Sequence, residues 1–195
     1  GPLGSLPVPR RVLAILVEVV ALGAAGGADQ VSPAVRVGDA AVSNDDLLEE
    51  VRQWSGNPMA IDPTQLAGRT PGGYPGELVR NIVRQRIDFM LHQQEFERLG
   101  LELDQALRDE ALTTLFGDPS RAEEAFEAFS DDFAASFTDD VARQIAVQEE
   151  LGEEGYSAWY LDAYESTDIE VNSRYGRWDP TTRSVAAPPV AAAAG

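Results

Sequence analysis

Apolar residues recur along most of this chain at helical spacing, and short alternating segments stand at both ends of the helical stretch. Leu47, Val51 and Trp54 share one helix face behind Ser43-Asn44-Asp45-Asp46, which supplies an N-cap and first-turn acids. Pro75 at a first helical position opens the longest predicted helix, which runs to Leu99 and stops at Gly100. Its wide apolar stripe is formed by Leu78, Val79, Ile82, Val83, Ile87, Met90 and Leu91. Asp104 caps the next helix, which turns Leu107, Ala111, Leu112 and Leu115 inward and ends at Gly117. Ser120-Arg121-Ala122-Glu123 has the spacing of a capping box ahead of a short helix with Phe126 and Phe129. Phe133 and Phe137 sit four apart in another short piece, and Thr138-Asp139-Asp140 caps a helix through Val141, Ile145 and Leu151 to Gly152. Tyr156, Trp159, Tyr160, Ala163 and Tyr164 then form an aromatic face.

The alternating segments are Val35–Asp39 and Asp168–Gly176. In the second, Ile169, Val171 and Tyr175 fall on one side and Glu170, Asn172 and Arg174 on the other. A lone strand leaves its backbone groups unsatisfied, so each segment predicts the other as partner. The expected fold is mainly α, one helical domain closed by a small antiparallel sheet that pairs N- and C-terminal strands.

Composition bounds the rest. The chain has 195 residues, 44% of them hydrophobic and 8% aromatic, enough for one domain with a core plus tails. A formal charge of −18 disfavours nucleic acid and anionic lipid as partners. All 15 basic residues are Arg. Without Lys there is no Schiff-base or P-loop lysine; without Cys there is no thiol nucleophile, disulfide or thiolate metal site. The single His92 forms no two-His motif, and a lone helical His reads as a surface or boundary residue. The pairs Asp131-Asp132, Asp139-Asp140, Glu149-Glu150 and Glu153-Glu154 lack the spacing of a calcium loop and read as helix first turns and solvated faces. No catalytic motif, cofactor or metal site is predicted.

Residues 1–5 read as the scar of a cleaved fusion tag. Residues 6–30 resemble a secretory or lipoprotein leader. Arg10-Arg11 precedes an apolar run from Val12 to Ala25, and Gly27 stands where a lipid-bearing Cys would be. Glu18 within the run fits a leader poorly, and an ordinary buried helix is the other reading. Residues 31–180 form the expected domain, and the Ala/Pro-rich residues 181–195 a disordered tail.

Taken together, Val35-Arg36-Val37-Gly38-Asp39, the helix opened by Ser43-Asn44-Asp45-Asp46-Leu47-Leu48, and the long helix with Arg80-Asn81-Ile82-Val83-Arg84-Gln85-Arg86-Ile87 form a familiar order. With Leu99-Gly100-Leu101-Glu102-Leu103 and the closing Val171-Asn172-Ser173-Arg174-Tyr175-Gly176-Arg177-Trp178-Asp179, they resemble the SurA-like N-terminal chaperone domain of extracytoplasmic foldases, in particular its actinobacterial lipoprotein relatives. The resemblance covers residues 33–180. It implies an ATP-independent module, secreted or attached to the cell envelope, that binds unfolded or partly folded exported proteins. Nothing between Asp104 and Ser157 reads as the parvulin-type isomerase domain that often accompanies it, so neither catalysis nor a cofactor is implied. A docking lipoprotein for one folded partner is the alternative, and a residual prolyl isomerase a more distant one. The binding surface is expected on the Pro/Gly-rich loop and its borders, through Trp54, Met59, Ile61, Leu66 and Tyr74. A disordered loop is the competing reading. The aromatic face Tyr156–Tyr164 is expected to pack beneath the closing strand and Trp178, with a binding role as its alternative.

Overall fold

The computed structural model describes residues 32–57, 74, 76–118 and 120–187. The leader-like residues 6–30, the loop positions Met59, Ile61 and Leu66, the predicted helix opener Pro75 and the tail from 188 on lie outside the described residues. Within them the fold is mainly helical with small antiparallel sheets, as the hydrophobic pattern predicts. Strands β1 (Val35–Val37) and β2 (Ala40–Val42) precede helices α1 (Asn44–Ser55), α2 (Gly76–Arg98), α3 (Gln105–Phe116), α4 (Arg121–Phe126) and α5 (Asp131–Ser166). Strands β3 (Ile169–Val171), β4 (Arg177–Asp179) and β5 (Ser184–Ala186) follow.

The predicted pairing of the ends is present. β1 runs antiparallel to β3 with Arg36 opposite Glu170, and the two side chains form an ion pair at 3.3 Å. Around this ladder, Gly38 N–H donates to Asp168 O and Asn172 N–H to Ala34 O. Side chains extend the closure: Tyr175 Oη donates to Asn44 Oδ1 at 2.8 Å, Asn44 Nδ2 to Ser32 O, and Gln94 Nε2 to Val37 O. The closing strand is shorter than the alternation implies, because the chain turns after Val171 with Tyr175 N–H bonded to Asn172 O. Three further strands, β2, β4 and β5, were not anticipated. β2 folds back on β1 through a turn at Gly38-Asp39, giving the order β2-β1-β3.

β5 pairs with β4, Trp178 opposite Val185. Residues 181–187 are therefore folded, against the disordered tail expected from Thr181 on. Val185 is buried in the main core, a contact that the Ala/Pro-rich composition gives no means of foreseeing. Gly176 makes the approach of β5 possible. It has φ +144°, and a Cβ there would lie 2.4 Å from Ala186 O.

Several local predictions hold. Ser43 Oγ accepts the Asp46 N–H and Asp104 Oδ1 the Leu107 N–H, and Gly117 closes α3 in the left-handed region. Two caps differ. Ser120 is itself helical and makes no side-chain cap; Asp118 Oδ1 takes the Ser120 N–H instead. Thr138 opens no helix. Ser130 caps α5 through the Phe133 N–H, α5 runs on through residue 138, and the Thr138 hydroxyl returns to Ala134 O. α5 spans 36 residues, more than α2, but Gly152 (φ 66°, ψ 172°) breaks it in a conformation confined essentially to glycine. The predicted stop at Gly152 is thus a kink.

α2 is the hub. Ile82, Val83, Ile87, Met90 and Leu91 join α1, β1, β5 and the end of α5 in the main core. Phe89 packs with Ala111, Phe137, Val141 and Ala142, and Phe96 with Ala146 and Val147. A helix buried on several sides this way accounts for the continuous buried run Phe89–His92.

Candidate functional site

Of the expected binding residues, the structure describes Trp54 and Tyr74. Both are half-buried against the main core rather than free at the surface. Trp54 also faces the second cluster and is the hub of an aromatic group. Its ring meets Phe129 edge-on at 5.1 Å, Phe137 at 5.2 Å and Phe133 at 6.0 Å. Its indole N–H closes no hydrogen bond, although it lies near enough to favour the Glu50 carboxylate.

This group backs a groove of about 460 Å³ between α3, α4 and the first turns of α5. Leu112, Ala122, Phe126, Phe129, Ala134 and Ala135 supply its apolar lining, and Glu123, Glu127 and Asp131 its acidic lining. Local bonds shape it. Gly117 ends α3, and the six-residue α4 follows at once. Asn57 Nδ2 donates to Ala125 O at 2.8 Å, and Gln53 Oε1 accepts the Ser130 N–H at 2.8 Å. The C-terminal end of α1 thereby holds the α4–α5 corner in place. Phe126 packs on Phe116 at 5.2 Å and Phe129 at 5.7 Å, so its ring is supported from behind. In the sequence these phenylalanines stand out only as helix faces. The available signal is their run at positions 126, 129, 133 and 137, more aromatic surface than a short helix needs for its own burial.

A larger hollow of about 710 Å³ borders β3. Arg36, Glu170 and Arg177 bring both signs of charge to its lining. Pro33, Ile169, Val171, Trp178 and Pro180 supply its apolar lining, beside a larger polar share than in the groove.

Two buried polar networks hold the scaffold. Arg86 on α2 donates to Glu50 on α1 (3.0 Å from Nε) and to Asp140 on α5 (3.0 Å from Nη1), and Arg143 takes the second Asp140 oxygen at 3.0 Å. Burial pushes both carboxyls above their ordinary values despite Arg86, whose charge pulls the other way. The second network centres on His92, which is fully buried and not at the surface or boundary expected of it. Its Nδ1 lies 2.7 Å from Asp88 O and its Nε2 2.9 Å from Tyr156 Oη. A carbonyl only accepts, so Nδ1 carries the proton and Tyr156 donates to Nε2. Trp159 meets the imidazole edge-on at 4.9 Å. Tyr164 donates to Asp88 Oδ1 at 2.9 Å and stacks on Trp178 at 5.6 Å. Tyr164 and Trp178 thus pack as expected under the closing strands, while Tyr156 and Trp159 enclose the histidine. Burial lowers the His92 pKa against the opposing pull of Asp88 and Glu95, which favours the neutral ring. These groups are occupied in holding helices together. Among the described residues no group of three or more His, Cys, Asp or Glu is placed to hold a metal ion.

No family model, curated protein or solved structure matches this chain.

Proposed function

We propose that the folded unit is an ATP-independent, chaperone-like module of the cell envelope. It holds extended segments of unfolded exported proteins, as the SurA-like N-terminal chaperone domain that its sequence resembles does. The observation that carries the reading is the supported groove between α3, α4 and α5, where the half-buried Phe126, Leu112 and Ala134 and the exposed Ala135 face outward over the buried Phe129. Transient burial at about 25 cal/mol per Å² of apolar surface gives weak, reversible binding from a groove of this size. The high negative charge keeps loaded complexes apart. The assignment to the envelope rests on the leader-like composition of residues 6–30, and no catalytic step is part of the reading.

The test is suppression of aggregation of an unfolded model protein at near-stoichiometric ratio, with Ala135→Trp as the blocked form. Ala135 lines the groove and is exposed, so an indole there fills the space without entering the core. Suppression by the wild-type chain and its loss in the variant support the reading. Equal behaviour of the two, or no suppression by either, rejects it. Capture of one stoichiometric folded protein from envelope extracts, unchanged by Ala135→Trp, would favour a docking role instead.

A further inference from the structure

The groove is apolar at its floor and acidic at its edges, and this polarity has one sign. Glu123, Glu127 and Asp131 line it, all three are exposed, and none forms an ion pair among the described residues. No arginine lines it. Some carboxylates elsewhere in the molecule are neutralised locally, although others at the surface are, like these, unpaired among the described residues. Glu50, Glu95, Asp139, Asp140 and Glu170 each face an arginine within 3.3 Å. The hollow beside β3 likewise carries both signs. The groove edge thus sets three carboxylates of uncompensated charge beside the half-buried ring of Phe126.

A bound apolar segment would bring its flanking residues against these three carboxylates. Acidic flanks would meet like charge at short range, within a chain already at −18. Arginine or lysine flanks would pair with the rim, and their methylene stems would cover the accessible edge of Phe126. We propose that the groove selects extended polypeptide segments in which an apolar stretch is flanked by arginine or lysine. This selectivity rests on the reading of the groove as a polypeptide-binding site and adds the chemical class of segment that it takes.

Three peptides with a common apolar centre, flanked by Arg, by Ser or by Glu, distinguish the outcomes in titrations followed by fluorescence anisotropy. The Arg-flanked peptide is expected to bind about tenfold more tightly than the Ser-flanked one at low salt, the size expected of a few exposed charge pairs acting together. The Glu-flanked peptide binds weakest. The preference shrinks severalfold at roughly 0.5 M salt, where the screening length is only about 4 Å. In the combined variant Glu123→Gln, Glu127→Gln, Asp131→Asn, the ratio of Arg-flanked to Ser-flanked affinity falls toward unity. Indifference of the wild-type chain to the flanks overturns the proposal. So does a preference that survives in the combined variant, since net charge and not the rim would then set it. The site itself is tested separately with the Ser-flanked peptide. Binding that Ala135→Trp abolishes keeps the groove reading even if the charge preference is absent, whereas binding that Ala135→Trp leaves intact rejects both.

Discussion

His92 shows how far a residue's surroundings can move it from its usual role. Alone in the sequence, it reads as a surface or boundary residue, because nothing nearby supplies a second ligand or a catalytic partner. In the fold it is fully buried, with Asp88 O on one nitrogen and the Tyr156 hydroxyl on the other. Tyr156 is 64 positions away and beyond the Gly152 kink, so no local pattern reports it. The consequence for stability has a definite sign. The folded pKa lies below the unfolded value of about 6.5, so the unfolded chain takes up the proton first as pH falls. The His92 contribution is complete above pH 6.5 and is lost as pH drops through that value toward the folded pKa. In urea unfolding at pH 7.5 and pH 5.5, the change in stability on acidification should therefore be less favourable for the wild-type chain than for His92→Phe, the comparison cancelling the other titrating groups. The ring is also a close-packed core group, and His92→Ala should cost roughly 3 kcal/mol at pH 7.5 in the same assay. An unchanged unfolding midpoint would contradict the burial described here.

At the level of elements, the helices with strong local signals form where those signals stand. Ser43, Asp104 and Gly117 act as predicted because a cap needs only neighbours three or four residues away. The misplaced caps at Ser120 and Thr138 lose to local competitors of equal chemistry, Asp118 and Ser130. The largest difference is β5. Its partner β4 and the core beneath it are both formed by the fold, and Ser184-Val185-Ala186 carries no alternation long enough to be read as a strand. Truncation after Pro180 removes a buried Val185 and uncovers Trp178 and the packing below it. It should lower stability by about 2–3 kcal/mol, read from the shift of the urea midpoint. The single substitution Val185→Asp should act in the same direction, and wild-type stability in both would show that β5 is dispensable.

For the molecule as a whole, charge and topology set the behaviour. A chain carrying −18 repels itself when folded, and salt screens that repulsion. Raising NaCl from about 0.05 to about 0.5 M should increase the thermal midpoint by a few degrees; a decrease would mean that screening of the ion pairs outweighs relief of the repulsion. The paired ends place the helices in one unit, with α2 shared among three hydrophobic clusters. Arg86 ties α1, α2 and α5 at the centre of that unit, although both carboxyls it holds are pushed up by burial. Removal of either carboxylate leaves part of the Arg86 charge without compensation in a desolvated place, and should destabilise the packing of the three helices.

Mainly helical structure, the principal caps, the inward stripes and the strand character of β1 and β3 follow from patterns written over a few residues, since helix periodicity, capping and alternation are short-range effects; the pairing of the two strands follows from each needing a partner. Burial of His92, recruitment of β5, the Arg86 triad and the Phe126–Phe129 groove all join residues that the chain keeps far apart or turns around a corner. Their partners are chosen by packing, which no window along the sequence contains. Trp54 spans both levels. The sequence marks it as the border of the Pro/Gly-rich loop, and the fold packs its ring against Phe129, Phe133 and Phe137 behind the groove.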